Sequence, residues 1–181
     1  MNLKNKFNVA YIKLCTKTEG PYKRCCIWFQ GCNINCIGCC NKNLQSFIPN
    51  HIVSIDELIN IVKEAKNKYD IEGITLSGGE PSLQISLKDF NNEVHNLGLG
   101  IIMFSGREKR QLNNELVESV DILIDGPFVE SLLDKKRILL GSTNKNLTFI
   151  TDRYKDCADY FNNPISIEEI TVEDYIFING D

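Results

Sequence analysis

Cys25-Cys26-Ile27-Trp28-Phe29-Gln30-Gly31-Cys32-Asn33-Ile34-Asn35-Cys36-Ile37-Gly38-Cys39-Cys40-Asn41 is the stretch from which the rest of the chain is read. Residues 25–29 form a continuous apolar run of strand length, consistent with a strand buried on both faces. Gly31 ends that run. The short polar loop that follows carries three thiols at C-x₃-C-x₂-C spacing, so one loop can wrap a metal centre without help from elsewhere. The loop over 31–42 is therefore the candidate site of chemistry.

The same unit, an apolar strand running into a small-residue loop, recurs along the chain. Upstream, residues 7–15 show partial alternation with β-branched and aromatic content and read as a strand, broken by Gly20-Pro21. Downstream, Ser54 and Glu57 have capping-box spacing, and Leu58, Ile59, Val62 and Ala65 form an apolar stripe, so a helix is expected over 55–69. A strand over 73–76 is stopped by Ser77-Gly78-Gly79-Glu80-Pro81, and a helix follows over 87–97. The strand over 100–104 halts at Ser105-Gly106, and Leu112, Leu116 and Val117 mark another helix. A strand over 121–125 ends in Gly126-Pro127. Beyond it are expected a short helix near 130–135, a strand over 147–151 and one or two terminal strands within 169–178.

Short apolar strands alternating with helices imply an α/β fold of mostly parallel strands built from βαβ units. The expected form is a partial (β/α) barrel making a single domain over 1–181. Gly31 with the cysteines, Ser77 to Glu80, Ser105-Gly106 and Asp125-Gly126 then all lie at the C-terminal edge of the sheet, where α/β folds build their sites.

The totals narrow the function. The chain has 181 residues, 43% hydrophobic content and a net charge of −4, with only short basic clusters. Those values fit a soluble globular protein and argue against nucleic acid as the main partner. Neither a signal-peptide run nor a membrane-length apolar stretch is seen, so a cytoplasmic location and no membrane partner are expected. In a reducing compartment, eight cysteines point to metal binding or catalysis rather than disulfides.

Chemistry alone leaves three readings of the thiol loop. Structural zinc would add Cys40 or His51 as fourth ligand, although adjacent Cys39 and Cys40 point in different directions and only one knuckle is present. An electron carrier is a second reading, but the ferredoxin run C-x₂-C-x₂-C-x₃-C is absent. Three ligands on an iron–sulfur cube, the third reading, would leave one iron open for reaction.

The C-x₃-C-x₂-C motif resembles that of the radical S-adenosylmethionine enzymes. An ordered set of further features resembles the activating proteins of anaerobic ribonucleotide reductase and related glycyl-radical enzymes. These are Glu19-Gly20-Pro21, Trp28 to Cys32, Gly38-Cys39 followed by Asn41, Ser77 to Pro81, Asp121 to Phe128, and Gly141 to Asn144. The resemblance spans 8–150. Three positions depart from the pattern: Cys40 where an aromatic residue or His is usual, Ile37 where Pro is common, and Lys145 where Gln often follows.

The resemblance implies that Cys32, Cys36 and Cys39 bind three irons of a 4Fe-4S cluster. The fourth iron would be chelated by S-adenosyl-L-methionine, and one-electron reduction would cleave that cofactor to methionine and a 5′-deoxyadenosyl radical. Ser77, Gly78, Gly79 and Glu80 would bind the cofactor's amino group, Ser105 its carboxylate or ribose, and Asp125 would stand at the site rim. The implied partners are a glycyl-radical enzyme, anaerobic ribonucleotide reductase first among them, and a low-potential electron donor such as a flavodoxin or ferredoxin. A peptide or small metabolite is the alternative substrate. A chain this short has little to close over a small molecule, which favours a macromolecule docking as the lid.

Other residues take plainer readings. Glu80 is also suited to holding its loop in shape, Ser105 to a turn, and Asp125 to a cap. Arg137, Ser142 and Asn144 face either the site or solvent. Cys25 and Cys26 read as small buried hydrophobes. Cys15 and Cys157 have no partner at ligand spacing, and His51 and His95 read as surface or helix residues.

Overall fold

The computed structural model describes residues 4–162 and the strands Glu168–Val172 and Tyr175–Asn179. Seven strands form one sheet in the order β3-β1-β2-β4-β5-β6-β7. They are β1 (Lys6–Thr16), β2 (Arg24–Phe29), β3 (His51–Ser54), β4 (Gly73–Gly78), β5 (Gly100–Phe104), β6 (Ile122–Asp125) and β7 (Asn146–Phe149). The central run β2-β4-β5-β6 is parallel throughout. The edges are antiparallel: β1 pairs with β2, β3 with β1, and β7 with β6. The result is an α/β fold with a mostly parallel sheet. The terminal pair, β8 (Glu168–Val172) and β9 (Tyr175–Asn179), is an antiparallel hairpin.

Each parallel step is bridged by a helix: α1 (Ile55–Tyr69), α2 (Leu87–Asn96) and α3 (Asn114–Glu118). Ser54 and Glu57 close the expected capping box on α1, with the Ser54 hydroxyl accepting from the Glu57 N–H and the Glu57 carboxylate accepting from the Ser54 N–H. Strand alternation divides the core in two. Ile27, Phe29, Ile74, Leu76, Ile101, Met103 and Leu123 face the helices. Ile102, Ile122 and Ile124 face the opposite side, under Ile138–Leu140, Tyr154 and Phe161.

Three features depart from expectation. β3 occupies residues just before α1 for which no strand was expected. The segment expected as a short helix near 130–135 is one 3-10 turn at Glu130–Leu132. Asp152–Asn162, for which no element was expected, winds as a 3-10 segment that buries Tyr154 and Phe161.

Asp121, just before β6, ties β5, β7 and α2 together. Its carboxylate accepts from the Ile101 N–H at 2.8 Å, the Thr151 hydroxyl at 2.5 Å and His95 Nε2 at 3.1 Å. Burial pushes its pKa up, but these hydrogen bonds together outweigh burial and hold it below the usual aspartate value. A carboxylate lowered in the fold stabilises at pH above its unfolded value, and that contribution disappears as pH falls through the folded one. Asp121→Asn is therefore expected to lose about 1–3 kcal/mol of stability at neutral pH. The deficit should shrink toward acid pH in urea titrations of both proteins. A pH-independent deficit would contradict the assignment.

Candidate active site

Because β2, β4, β5 and β6 run parallel, the segments leaving them meet at one edge of the sheet. There a cavity of about 1370 Å³ opens, lined by Cys32, Cys36, Cys39 and Cys40 of the loop after β2. Ser77–Glu80 at the end of β4 and Phe104–Gly106 at the end of β5 complete its near wall. Phe128 and residues from Leu133 to Lys145, in the long segment between β6 and β7, form the far wall.

The thiol loop is fixed by the backbone on both sides. The Gly31 and Cys32 N–H groups donate to Leu44 and Gln45 carbonyls at 2.8 and 3.0 Å, folding the loop back on itself. Asn41 Nδ2 donates to the Gly78 carbonyl at 3.1 Å and links this loop to the one after β4. Cys32, Cys36 and Cys39 are part-exposed free thiols and Cys40 is exposed. Burial raises the Cys32 pKa, an effect partly offset by the Ile34 and Asn35 N–H groups. Among the described residues, no three His, Cys, Asp or Glu side chains are gathered so as to hold a single ion. The three thiols open on a shared cavity, and soft donors on one short loop fit an iron–sulfur cube with a ligand at each of three corners.

The loop at the end of β4 lines the cavity and is also packed directly against the start of the thiol loop. A Cβ on Gly78 would sit 2.4 Å from the Phe29 nitrogen, and one on Gly79 would sit 2.3 Å from the Gly31 carbonyl oxygen. The Gly79 and Glu80 N–H groups donate to the Phe29 and Gly31 carbonyls at 2.8 and 2.9 Å. Bare glycines thus let the β4 loop lie directly on the start of the thiol loop.

Glu80 holds its loop in shape, as its plainer reading had it. Its fully buried carboxylate accepts from the Ser82 N–H and hydroxyl, the Ser105 hydroxyl at 2.8 Å and the Gly106 N–H at 2.8 Å. Ser105 in turn accepts from the Arg107 N–H at 3.0 Å. Glu80 and Ser105 therefore brace the loops after β4 and β5 against each other while both line the cavity.

Asp125 does not line the cavity. One of its oxygens accepts from the Lys109 N–H at 2.8 Å and the Asn146 amide at 3.3 Å. It thereby caps the turn after β5, its plainer reading, and its other oxygen is buried without a hydrogen bond. Arg137 lines the cavity and pairs with Asp134 at 2.6 Å. Ser142 and Asn144 brace the same segment through the Val129 N–H and the Pro127 carbonyl.

Sequence reasoning missed Tyr11, Lys13 and Trp28, which also line the cavity. Tyr11 and Lys13 sit two apart on β1, with Tyr11 paired to Trp28 and Lys13 to Cys26, so one face of the sheet carries them inward. Period-two spacing was the available signal.

Comparison with known proteins agrees with this arrangement. Residues 18–148 match the family described as a 4Fe-4S single cluster domain. The anaerobic ribonucleoside-triphosphate reductase-activating protein of Escherichia coli K12 is 31% identical over 138 residues, covering 70% of this chain and 88% of that protein. The protein of that name from enterobacteria phage T4 is 26% identical over 151 residues, covering 80% and 96%. A pyruvate formate-lyase-activating enzyme of Staphylococcus aureus is 36% identical over 70 residues, 37% of this chain and 28% of that one. QueE from Escherichia coli shares the fold, with a TM-score of 0.50 at 12% identity over 64% of this chain and 69% of that one.

The 4Fe-4S family match and the activating-protein relatives thus define an iron–sulfur enzyme of the radical S-adenosylmethionine type. Within that class the chain belongs to the family of anaerobic ribonucleoside-triphosphate reductase-activating proteins. The zinc and electron-carrier readings give way to that membership. Among the described residues no helix is long and apolar enough to cross a membrane.

Proposed function

We propose that this protein cleaves S-adenosyl-L-methionine reductively at a 4Fe-4S cluster held by Cys32, Cys36 and Cys39, and so places a glycyl radical on an anaerobic ribonucleoside-triphosphate reductase. The observation that carries the reading is the meeting of those thiols with Ser77–Glu80 and Ser105 in one cavity, the two loops tied through Asn41 and Gly78. The cluster supplies the electron, and the cofactor supplies the carbon radical.

This chain's own residues bind and exclude. Ser77, Gly78 and Gly79 offer polar backbone and a hydroxyl to an amino acid moiety. Glu80 and Ser105 keep that wall rigid. Trp28, Phe104 and Phe128 make apolar surface that keeps water from a reactive carbon. Asp125 acts as a positioning residue by fixing the turn after β5.

The cavity is open to solvent, and a partner's chain entering it would complete the enclosure, which favours a macromolecular substrate over a small metabolite. The test is anaerobic reconstitution with iron and sulfide, then incubation with S-adenosylmethionine, reductant and a candidate reductase. Expected are 5′-deoxyadenosine and a glycyl radical doublet by electron paramagnetic resonance. Cleavage without any protein radical would favour a small substrate, and no cleavage would defeat the proposal.

A further inference from the structure

The thiol loop has a second face. Phe47 and Ile48 are 61% and 74% exposed, in a domain whose other large apolar groups are mostly buried. Neither lines the cavity, and nor does Lys42. The Phe47 ring lies against Gly31, so close that a Cβ there would stand 3.0 Å from it. Gly31 is bonded to Cys32, and Gln30 Nε2 donates to the Ser46 carbonyl at 2.7 Å, so the patch is anchored beside the first thiol.

Its charge is distinctive. The chain carries 24 acidic residues and a net charge of −4, yet residues 31–50 include no Asp or Glu and do include Lys42. At the loop's other end Arg107 donates to the Asn33 side chain at 2.9 Å, adding a second cation. Of the carboxylates near the loop, Glu130 lies over Gly38 together with the cavity-lining Phe128, and Glu80 is fully buried.

We infer that the face formed by Phe47, Ile48 and Lys42 is the docking surface for a small acidic electron-transfer protein that reduces the cluster. The inference rests on the function proposed above. A radical acceptor must occupy the cavity mouth, so an electron donor needs another approach to the same loop, and electron transfer weakens steeply with distance. This patch is exposed and apolar, lies against Gly31 next to Cys32, and belongs to a loop segment whose exposed charge is the cation Lys42. Aromatic anchors ringed by charge are what transient interfaces use, with the charges steering encounter. One electron leaves the carrier's reduced group, which is oxidised by one, and the cluster takes it up, falling from the 2+ to the 1+ state. No atom or proton crosses the interface.

The test uses cluster-loaded protein and reduced flavodoxin as probe, with dithionite as a reductant that needs no docking. Phe47→Asp/Ile48→Ser is expected to slow cluster bleaching by flavodoxin about tenfold or more and to weaken binding, read from the carrier's flavin fluorescence, by a similar factor. Lys42→Glu should remove the salt dependence of the flavodoxin rate. With dithionite, both variants should be reduced and should cleave S-adenosylmethionine like the parent. Unchanged flavodoxin binding and rate would overturn the inference, as would equal losses with both reductants. So would variants that react normally with flavodoxin but fail to make a glycyl radical, which would assign the patch to the radical acceptor. If the parent bleaches normally yet never cleaves S-adenosylmethionine, the proposed function falls while the docking result stands.

Discussion

Replacing Cys36 by alanine is expected to leave a folded protein that cannot retain its cluster. Iron after anaerobic reconstitution should fall from about four atoms per chain to near background, because a cube needs all its thiolates to survive transfer to buffer. Production of 5′-deoxyadenosine should fall with it. The same result is expected for Cys32→Ala and Cys39→Ala. The informative contrast is Cys40→Ser. Cys40 also lines the cavity but is exposed and adjacent to Cys39, and consecutive residues direct their side chains apart. Its variant should keep full iron, and the visible absorption of the cluster should be unchanged. Iron loss from Cys40→Ser, with retention in Cys39→Ala, would move the third ligand by one residue. Far-ultraviolet circular dichroism of each variant separates cluster loss from unfolding, since the loop's backbone bonds to Leu44 and Gln45 and the Asn41 side-chain bond to Gly78 do not pass through any thiol.

The thiol loop stood out because ligand spacing is local: three thiols within eight residues need no knowledge of the fold, and the structure places all three on the cavity. The sheet's interior was legible for a similar reason, since buried strands such as Gly100–Phe104 read as apolar runs, and α1 carries its own cap and stripe. What escaped depends on residues far apart in the chain. β3 is only four residues long and exists because Lys6–Val9 offers it a partner. The Asp152–Asn162 segment is polar except where Tyr154 and Phe161 reach the second core. Gly78 and Gly79 also lie directly on Phe29 and Gly31, a contact between distant strand ends that only the fold reveals. Asp125 sits at a strand end like the site residues, but its side chain turns away from the cavity to the Lys109 N–H.

The largest thing hidden in the sequence is Arg24, which looks like half of an ordinary surface Lys-Arg pair and is fully buried. It stands at the start of β2, at the edge of the sheet opposite the cavity. Its Nε donates to the Thr75 hydroxyl at 2.9 Å. Its terminal nitrogens donate to the Pro21, Ile74 and Gly100 carbonyls, to the Tyr154 hydroxyl and to Glu72. Tyr154 also donates to Glu72, and Arg153 pairs with that carboxylate at 2.8 Å. Gly100 makes room: a Cβ there would lie 2.0 Å from the Tyr154 hydroxyl. One guanidinium thus joins the beginnings of β2, β4 and β5 and so sets where their far ends, with the thiol loop and its two neighbours, come to lie.

Arg24→Met keeps most of the volume but strands those acceptors without a donor, so it is expected to lower stability by roughly 3–5 kcal/mol. That is a large share of the 5–15 kcal/mol typical of a domain. Lys23→Met, one residue away and exposed, should change stability by about 0.5 kcal/mol or less. Urea titrations of cluster-free protein measure both, and a Tyr154→Phe single and the Arg24→Met/Tyr154→Phe double complete a cycle. The double should lose clearly less than the sum, since both residues act through one network. Additive losses, or an Arg24→Met midpoint close to the parent's, would show that the strand starts are held by apolar packing alone and that the buried charge is not their clamp.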